Sequence, residues 1–283
     1  MQNKNWVCRK EMNMMDFLVQ YSGISKKELN TLRTQGKLMV NGECIKNSKT
    51  MVYEGDILEI GQAKTNYDLP FSILYEDNYL VVIDKPAGLL TMGTDREKDK
   101  TAYHQVGVYL KKKDPKAHVF IVHRLDQDTS GVLIFAKDEK TKKLLQEHWN
   151  ERVSLRQYIA LVEGCPKKKK GTINQPLKES KTQMVYISKD GKEAITDYEV
   201  MVTNHYYSVI ACRLRTGRKN QIRVHLSSIS CPIVGDDKYG ASTNPLRRLG
   251  LHCEKIKFKH PYSNEDLLIE AKLPDVFQKY LKK

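Results

Sequence analysis

The residues best suited to chemistry lie together in one short polar stretch between two apolar ones. This stretch is residues 121–137, IVHRLDQDTSGVLIFAK, and its titratable side chains before the last apolar run are His123, Arg124, Asp126 and Asp128. The apolar flanks favour buried strands, so the pattern predicts strand, tight loop and strand, with Ser130-Gly131 supplying the turn. Loops held by buried flanks commonly carry catalytic groups.

The spacing of Asp126 and Arg124 narrows the chemistry that this loop could perform. Asp126 follows Arg124 by two positions, so an extended backbone would point both side chains to one side. A carboxylate beside a guanidinium is expected to stay ionised at neutral pH, which suits a nucleophile or an anchored base. Glycoside hydrolysis would need a second, protonated carboxyl group, and the sequence singles none out.

Other catalytic interpretations of the loop have little support. No GxSxG pattern surrounds Ser130, and no phosphate loop or dinucleotide fingerprint is present. His123, at the edge of an apolar strand, is expected to be a structural hydrogen-bonding residue. Asp128 is expected to cap the turn that follows it.

The charge of the chain indicates its class of partner. The 283 residues include 48 Lys and Arg against 34 Asp and Glu, a net charge of +14. Such an excess favours a polyanionic partner, usually nucleic acid, although a merely soluble basic surface is the alternative. The six cysteines form no CxxC pair, which predicts reduced thiols and no metal site. We expect a cytoplasmic protein without a membrane segment, since no apolar run reaches about eighteen residues, and nothing demands more than a monomer.

The chain is expected to divide into a small basic module, residues 1–62, a linker, residues 63–71, and a larger domain, residues 72–283. In the module, residues 12–23 predict a short helix, and Ser25 to Glu28 has the capping-box pattern of a second helix. Asn41-Gly42 predicts a hairpin. In the larger domain, strands predicted near 156–162, 194–203 and 206–215, among others, do not alternate regularly with helices. The sequence therefore predicts α+β, with a mixed, mostly antiparallel sheet and flanking helices.

Seven stretches resemble, in order, the motifs of the RluA family of RNA pseudouridine synthases. HRLDQDTSGVLIFAKD resembles the signature, and the other stretches, within residues 72–275, are YLVVIDKPAGL, RQYIALVEG, GKEAIT, RTGRKNQIRVHL, PIVGDDKYG and LHCEKIKFKHP. Lys219-Asn220 depart from the Thr-His that often precedes Gln221 in the family. The N-terminal module resembles the ribosomal S-four-type RNA-binding domain, with packing or dimerisation as the alternative role.

The resemblance implies an isomerase that converts uridine in RNA to pseudouridine without metal or cofactor. Asp126 is similar to the family's catalytic aspartate, which takes part in breaking the N1–C1′ bond before the base rejoins through C5. Whether it attacks the sugar or removes a ribose proton stays open. Tyr158 matches the tyrosine that packs on the target base and could help to remove the C5 proton. Arg223 matches the basic residue that pairs with the aspartate, and Arg124 matches the arginine that enters the RNA stack. A uridine within a helix must be flipped out to react.

The favoured substrate is structured RNA, with large-subunit ribosomal RNA as the expected target and transfer RNA as the alternative. A different class of function, a non-catalytic RNA-binding factor in ribosome assembly, also remains open. The presence of Asp126, Tyr158 and Arg223 together counts against it. Which uridine would be modified does not follow from the sequence.

Overall fold

The computed structural model describes residues 4–34, 37–41, 43–45, 47–60, 69–94 and 97–281. The chain separates into two compact units, residues 1–68 and residues 69–283. Most of the segment that we predicted as a linker, residues 63–71, lies outside the described residues. The two units are therefore considered one at a time.

The first unit is a small α+β structure. Its strands are β1 Lys4–Val7, β2 Met12–Asn13, β3 Leu38–Val40, β4 Glu43–Cys44, β5 Met51–Val52 and β6 Ile57–Ile60, and its helices are α1 Met14–Ser22 and α2 Lys26–Thr34. Strands β1, β6, β3 and β4 form one sheet in that order, and β2 pairs with β5. Phe17, Leu18, Leu29, Leu38 and Leu58 belong to its buried core.

Local hydrogen bonds explain where the two helices begin. The Asn13 side chain accepts from the backbone N–H of Met15, and α1 ends at Gly23, whose φ is +71°. At α2 the Ser25 hydroxyl accepts from the backbone N–H of Glu28 at 3.3 Å, as the capping pattern predicted. Asn41 has the positive φ, 51°, of the predicted hairpin, whereas Gly42 lies outside the described residues.

The second unit contains the remaining elements. Its strands are β7 Ser72–Glu76, β8 Leu80–Lys85, β9 Phe120–Ile121, β10 Ser130–Ala136, β11 Val153–Glu163, β12 Lys170–Asn174, β13 Leu177–Glu179, β14 Val185–Ile187, β15 Ile195–Thr203, β16 Tyr207–Leu214, β17 Leu251–Lys259 and β18 Asp266–Glu270. Its helices are α3 Ala102–Lys113, α4 Glu139–Glu147, α5 Trp149–Arg152, α6 Gln221–Ser228 and α7 Asp275–Leu281, with one 3₁₀ turn at Asp237–Tyr239.

Ten of these strands form one large sheet. Its order is β12-β15-β16-β11-β17-β10-β8-β7, with β18 paired to β17, β9 paired to β10, and β13 and β14 forming a separate hairpin. Among the paired strands of the described residues, only β10 and β17 run parallel. The centre is apolar: every residue of β10 is buried, and Leu80 to Ile83 of β8 are 0% exposed. The prediction of an α+β fold with a mostly antiparallel sheet is confirmed.

The turn between β9 and β10 differs from the prediction. Ser130 and Gly131 do not form it, because both belong to β10. The turn spans residues 126–129 and is closed by the backbone N–H of Thr129, which donates to the carbonyl of Asp126 at 3.1 Å. Gly131 serves a different purpose: its φ is +112°, and a Cβ there would lie 2.0 Å from the Cys253 carbonyl oxygen. Glycine therefore allows β17 to approach β10 closely.

Candidate active site

One cleft of the second unit is lined by all four residues that the sequence singled out. Arg124 and Asp126 come from the loop between β9 and β10, Tyr158 from β11, and Arg223 from α6. The cleft has a volume of about 70 Å³ and is also lined by Arg218 and Asn220, among others. Side chains from three distant stretches of the chain therefore converge on one space.

Asp126 is a desolvated carboxylate among cations. Burial raises the pKa of Asp126, and the charges of Arg223, Arg124, Lys219 and Lys85 oppose that rise. Within the part of the chain that the structure describes, no hydrogen bond or ion pair engages its carboxylate oxygens. The carboxylate is therefore available to a ligand in the cleft, with positive charge nearby.

Tyr158 forms an apolar wall of the cleft. It lies in the middle of β11, between Cys212 of β16 and Cys253 of β17, and is only 8% exposed. Burial raises the pKa of Tyr158 well above its usual value of 10. The phenol is therefore neutral at physiological pH, and its ring is a packing surface rather than a ready base.

Arg223 bonds to Asp236. The resemblance had led us to expect a bond to Asp126 instead. Its Nε donates to Asp236 Oδ2 at 2.7 Å and its Nη2 to Oδ1 at 2.6 Å. The two side chains are 14% and 1% exposed. Burial disfavours the charge of Arg223, yet the Asp236 bonds outweigh it and raise the pKa of Arg223. Arg223 therefore acts on Asp126 through its field, while Asp236 fixes its position.

Residues 219 and 220, where the sequence departs from the family pattern, also support the site. The Asn220 side-chain oxygen accepts from Arg223 Nη1 at 3.1 Å, and its amide nitrogen donates to the Tyr239 hydroxyl at 3.0 Å. Lys219 pairs with Glu179 at 2.5 Å. Asn220 therefore helps to hold Arg223 in place.

Gln221 anchors the start of α6, and sequence reasoning assigned it no role. Its side-chain oxygen accepts from the Thr216 hydroxyl and the Arg218 backbone N–H, both at 2.9 Å. Its amide nitrogen donates to the Ile195 carbonyl and the Thr196 hydroxyl, both at 3.0 Å. A polar side chain that is 2% exposed yet fully bonded gives α6 one defined position.

The remaining polar residues of the loop have simpler roles. His123 accepts from the Ile134 backbone N–H at 3.1 Å through Nε2, and burial lowers the pKa of His123 to about 3. It is the structural residue that we expected. Asp128 is exposed, and within the described ranges no hydrogen bond shows that it caps the turn, as we had expected. Its negative charge instead favours the charged forms of Lys85 and Arg248.

Two absences concern only the described residues. No group of three or more His, Cys, Asp or Glu side chains in them could hold a metal ion. Likewise, no helix among them is long and apolar enough to cross a membrane.

Comparison with known proteins identifies the family. The sequence profile of the RNA pseudouridylate synthase family matches residues 79–228. An uncharacterized RNA pseudouridine synthase of Bacillus subtilis, YhcT, is 32% identical over 260 residues, which cover 88% of this chain and 86% of that protein. The chain therefore belongs to the RNA pseudouridine synthases of the RluA type, and it is an isomerase.

Two further similarities bear on the fold and the relatives. The ribosomal large subunit pseudouridine synthase D of Vibrio cholerae is 31% identical over 277 residues, covering 90% of this chain and 85% of that protein. The solved structure of human RNA pseudouridylate synthase domain containing 4 superimposes with a TM-score of 0.63 at 26% identity, over 74% of this chain and 91% of that one. The large mixed sheet is thus the sheet of a pseudouridine synthase.

Proposed function

We propose that this enzyme converts specific uridines of large-subunit ribosomal RNA to pseudouridine, with Asp126 as the catalytic carboxylate. The observation that carries the proposal is the convergence of Arg124, Asp126, Tyr158 and Arg223 on one cleft. Relatives named ribosomal large subunit pseudouridine synthase D, from Xanthomonas campestris and Vibrio cholerae, favour the ribosomal target over transfer RNA.

The cleft has the properties that the isomerisation requires. A uridine has to leave its stack to expose C1′ and C5, and this costs a few kcal/mol. Arg124 is exposed at the cleft and is suited to enter the place of the departing base. The neutral ring of Tyr158 offers a surface against which the flipped uracil packs, which offsets part of that cost.

In this proposal, Asp126 acts on the sugar of the flipped nucleotide. In the reaction the N1–C1′ bond breaks, the base turns, the C5–C1′ bond forms, and the proton on C5 leaves while N1 gains one. No atom is gained or lost overall. The carboxylate either attacks C1′ or removes a ribose proton, and each route needs it ionised. Burial raises the pKa of Asp126, and the positive charge of Arg223, fixed by Asp236, opposes that rise and so favours the ionised form.

We propose that the first unit also binds RNA. Lys26 and Lys27 are exposed on α2, and the net charge of +14 favours phosphate contacts. Deleting residues 1–62 is expected to weaken RNA binding while the isolated second unit keeps its fold. Unchanged affinity at physiological salt would remove this part of the proposal.

The test of the enzymatic proposal is a pseudouridine map of total RNA from cells with and without the gene. One or more large-subunit positions should lose the modification, and a plasmid copy should restore them. The Asp126→Asn variant should not restore them, whereas Asp128→Asn, a matched change in the same loop, should. Loss at transfer RNA positions instead would overturn the ribosomal assignment, and activity of Asp126→Asn would overturn the catalytic one.

A second measurement distinguishes an enzyme from a non-catalytic assembly factor. Ribosomal RNA from the deletion strain, labelled with tritium at uracil C5, should release tritium when the purified protein is added. A protein that only binds RNA would release none.

A further inference from the structure

Among the described residues, the backbone of the candidate catalytic loop has no strand partner beside Asp126. The loop lies between β9, which ends at Ile121, and β10, which begins at Ser130. Buried backbone N–H and C=O groups need hydrogen bonds, and those of Leu125, a residue only 4% exposed, cannot find them in the sheet. Something else has to satisfy them.

The side chain of Thr91 satisfies both. Its hydroxyl donates to the Leu125 carbonyl at 2.7 Å and accepts from the Leu125 N–H at 3.2 Å. Thr91 is itself 4% exposed, so water does not compete for these bonds. A single hydroxyl thus replaces a strand neighbour at the residue before Asp126.

The residue after Asp126 is fixed by the same neighbouring segment. The Gln127 carbonyl accepts from Lys85 Nζ at 2.8 Å and from the Gly88 N–H at 3.0 Å. Lys85 is 0% exposed and also donates to the carbonyls of Pro86 and Leu89, at 3.0 and 2.7 Å. Residues 85–91 therefore bond to the loop on both sides of Asp126.

The segment that holds the loop is itself anchored. Lys85 lies opposite Gly131 in the pairing of β8 with β10, so the segment leaves the sheet beside the loop. At its other end, the Ala102 N–H donates to the Leu90 carbonyl at 2.8 Å and the Tyr103 N–H to the Thr91 carbonyl at 3.0 Å. These donors belong to the first turn of α3. The backbone carbonyl of Thr91 is thus bonded to α3, while its side-chain hydroxyl is bonded to the loop.

We propose that Thr91 is a positioning residue for pseudouridine formation. Thr91 fixes the backbone before Asp126 and Lys85 fixes the backbone after it, and together they aim the Asp126 carboxylate at the ribose. This inference rests on the proposed function. Neither residue lines the cleft that Asp126 lines, so neither is expected to touch the RNA. Their loss should therefore slow the chemical step and leave RNA binding unchanged.

The test replaces Thr91 by valine, which keeps the shape and removes the hydroxyl, and by serine, which keeps the hydroxyl. The tritium-labelled ribosomal RNA described above is used in single-turnover reactions at saturating protein. Thr91→Val should lower the rate constant about 10- to 100-fold, the range expected when a catalytic group is misplaced by up to an ångström. Its Kd for the RNA should not change, and Thr91→Ser should react at close to the original rate.

The control for a merely structural effect is Thr141→Val. Thr141 is also fully buried, and its hydroxyl bonds to Asp138 and Tyr262, away from the loop. It should lower thermal stability without slowing the reaction. Lys85→Met, which releases Gln127, should slow the reaction as Thr91→Val does, again at constant Kd.

Hydrogen exchange supplies a readout that does not need activity. The Leu125 amide should exchange faster in Thr91→Val than in the unchanged protein, and at its normal rate in Thr91→Ser. Equal rates of tritium release by Thr91→Val and the unchanged protein would overturn the positioning role and leave the proposed function intact. If the unchanged protein releases no tritium from any RNA, the proposed function fails and the inference fails with it.

Discussion

Replacing Asp236 by asparagine should reduce both stability and activity, because it leaves the guanidinium of Arg223 without its carboxylate partner. The pair is bidentate, and Asp236 is 1% and Arg223 14% exposed. Removing one partner of a buried ion pair typically costs about 3–5 kcal/mol. Because asparagine still accepts one hydrogen bond, we expect the free energy of unfolding to fall by about 3 kcal/mol.

The size of this effect can be measured against a neighbour of the same type. Asp237 is the next residue, is exposed and makes no ion pair among the described residues. Asp237→Asn should change the free energy of unfolding by less than about 0.5 kcal/mol. Urea unfolding of the unchanged protein and both variants at pH 7 provides the comparison.

A double variant separates the pair from its surroundings. Arg223→Gln with Asp236→Asn removes both charges, so its destabilisation should be smaller than the sum of the single effects by about 0.5–3 kcal/mol. Tritium release by Asp236→Asn should fall about 10- to 100-fold, since Arg223 loses its fixed position beside Asp126. Additive stabilities together with unchanged release would refute the view that Asp236 fixes Arg223.

Two further predictions follow from the close approach of strands and from the buried lysine. Gly131→Ala should destabilise the protein by roughly 3–5 kcal/mol in urea unfolding, because the new Cβ meets the Cys253 carbonyl. The control is Gly240, which has a similar φ of +93° but has no atom within 4 Å of an added Cβ, so Gly240→Ala should lose only about 1–2 kcal/mol. Equal losses in the two variants would contradict the steric argument. Burial lowers the pKa of Lys85 from 10.5 to about 7, so between those pH values the folded protein holds fewer protons than the unfolded chain, and stability rises with pH. The free energy of unfolding should rise by at most about 1.4 kcal/mol per pH unit, and this rise should be missing in Lys85→Met. If the two proteins show parallel curves of unfolding free energy against pH from pH 7 to 10, this explanation is wrong.

Local patterns were enough to predict the fold class and the position of the loop. The apolar run after the loop became the fully buried strand β10, whereas the shorter run before it contains only the two half-buried residues of β9. The capping pattern at Ser25 likewise depends on residues within one turn of a helix, and the structure shows its hydrogen bond. Predictions of this kind succeed because the interacting residues are neighbours in the chain.

The predictions that failed depend on residues brought together from far apart. Ser130-Gly131 has the composition of a turn, but the proximity of Cys253 makes Gly131 a strand residue. Asp126 and Asp236 could each pair with Arg223, and only the fold shows that Asp236 is the one bonded to it. The role of Thr91 was equally hidden, since its hydroxyl meets the backbone of a residue 34 positions later. Spacing along the chain contains no information about such contacts.

The parallel pairing of β10 with β17 has a consequence for the order in which the large sheet is completed. It joins Ser130 to His252, residues that are 122 positions apart. At a synthesis rate of about 5–20 residues per second, the start of β10 waits roughly 6–24 s for its partner strand. During that time the nascent chain already contains Asp126, but β10 lacks the neighbour that closes the sheet beneath it. The large sheet is therefore completed late, through a contact between strands that are distant in the chain, and such contacts form slowly.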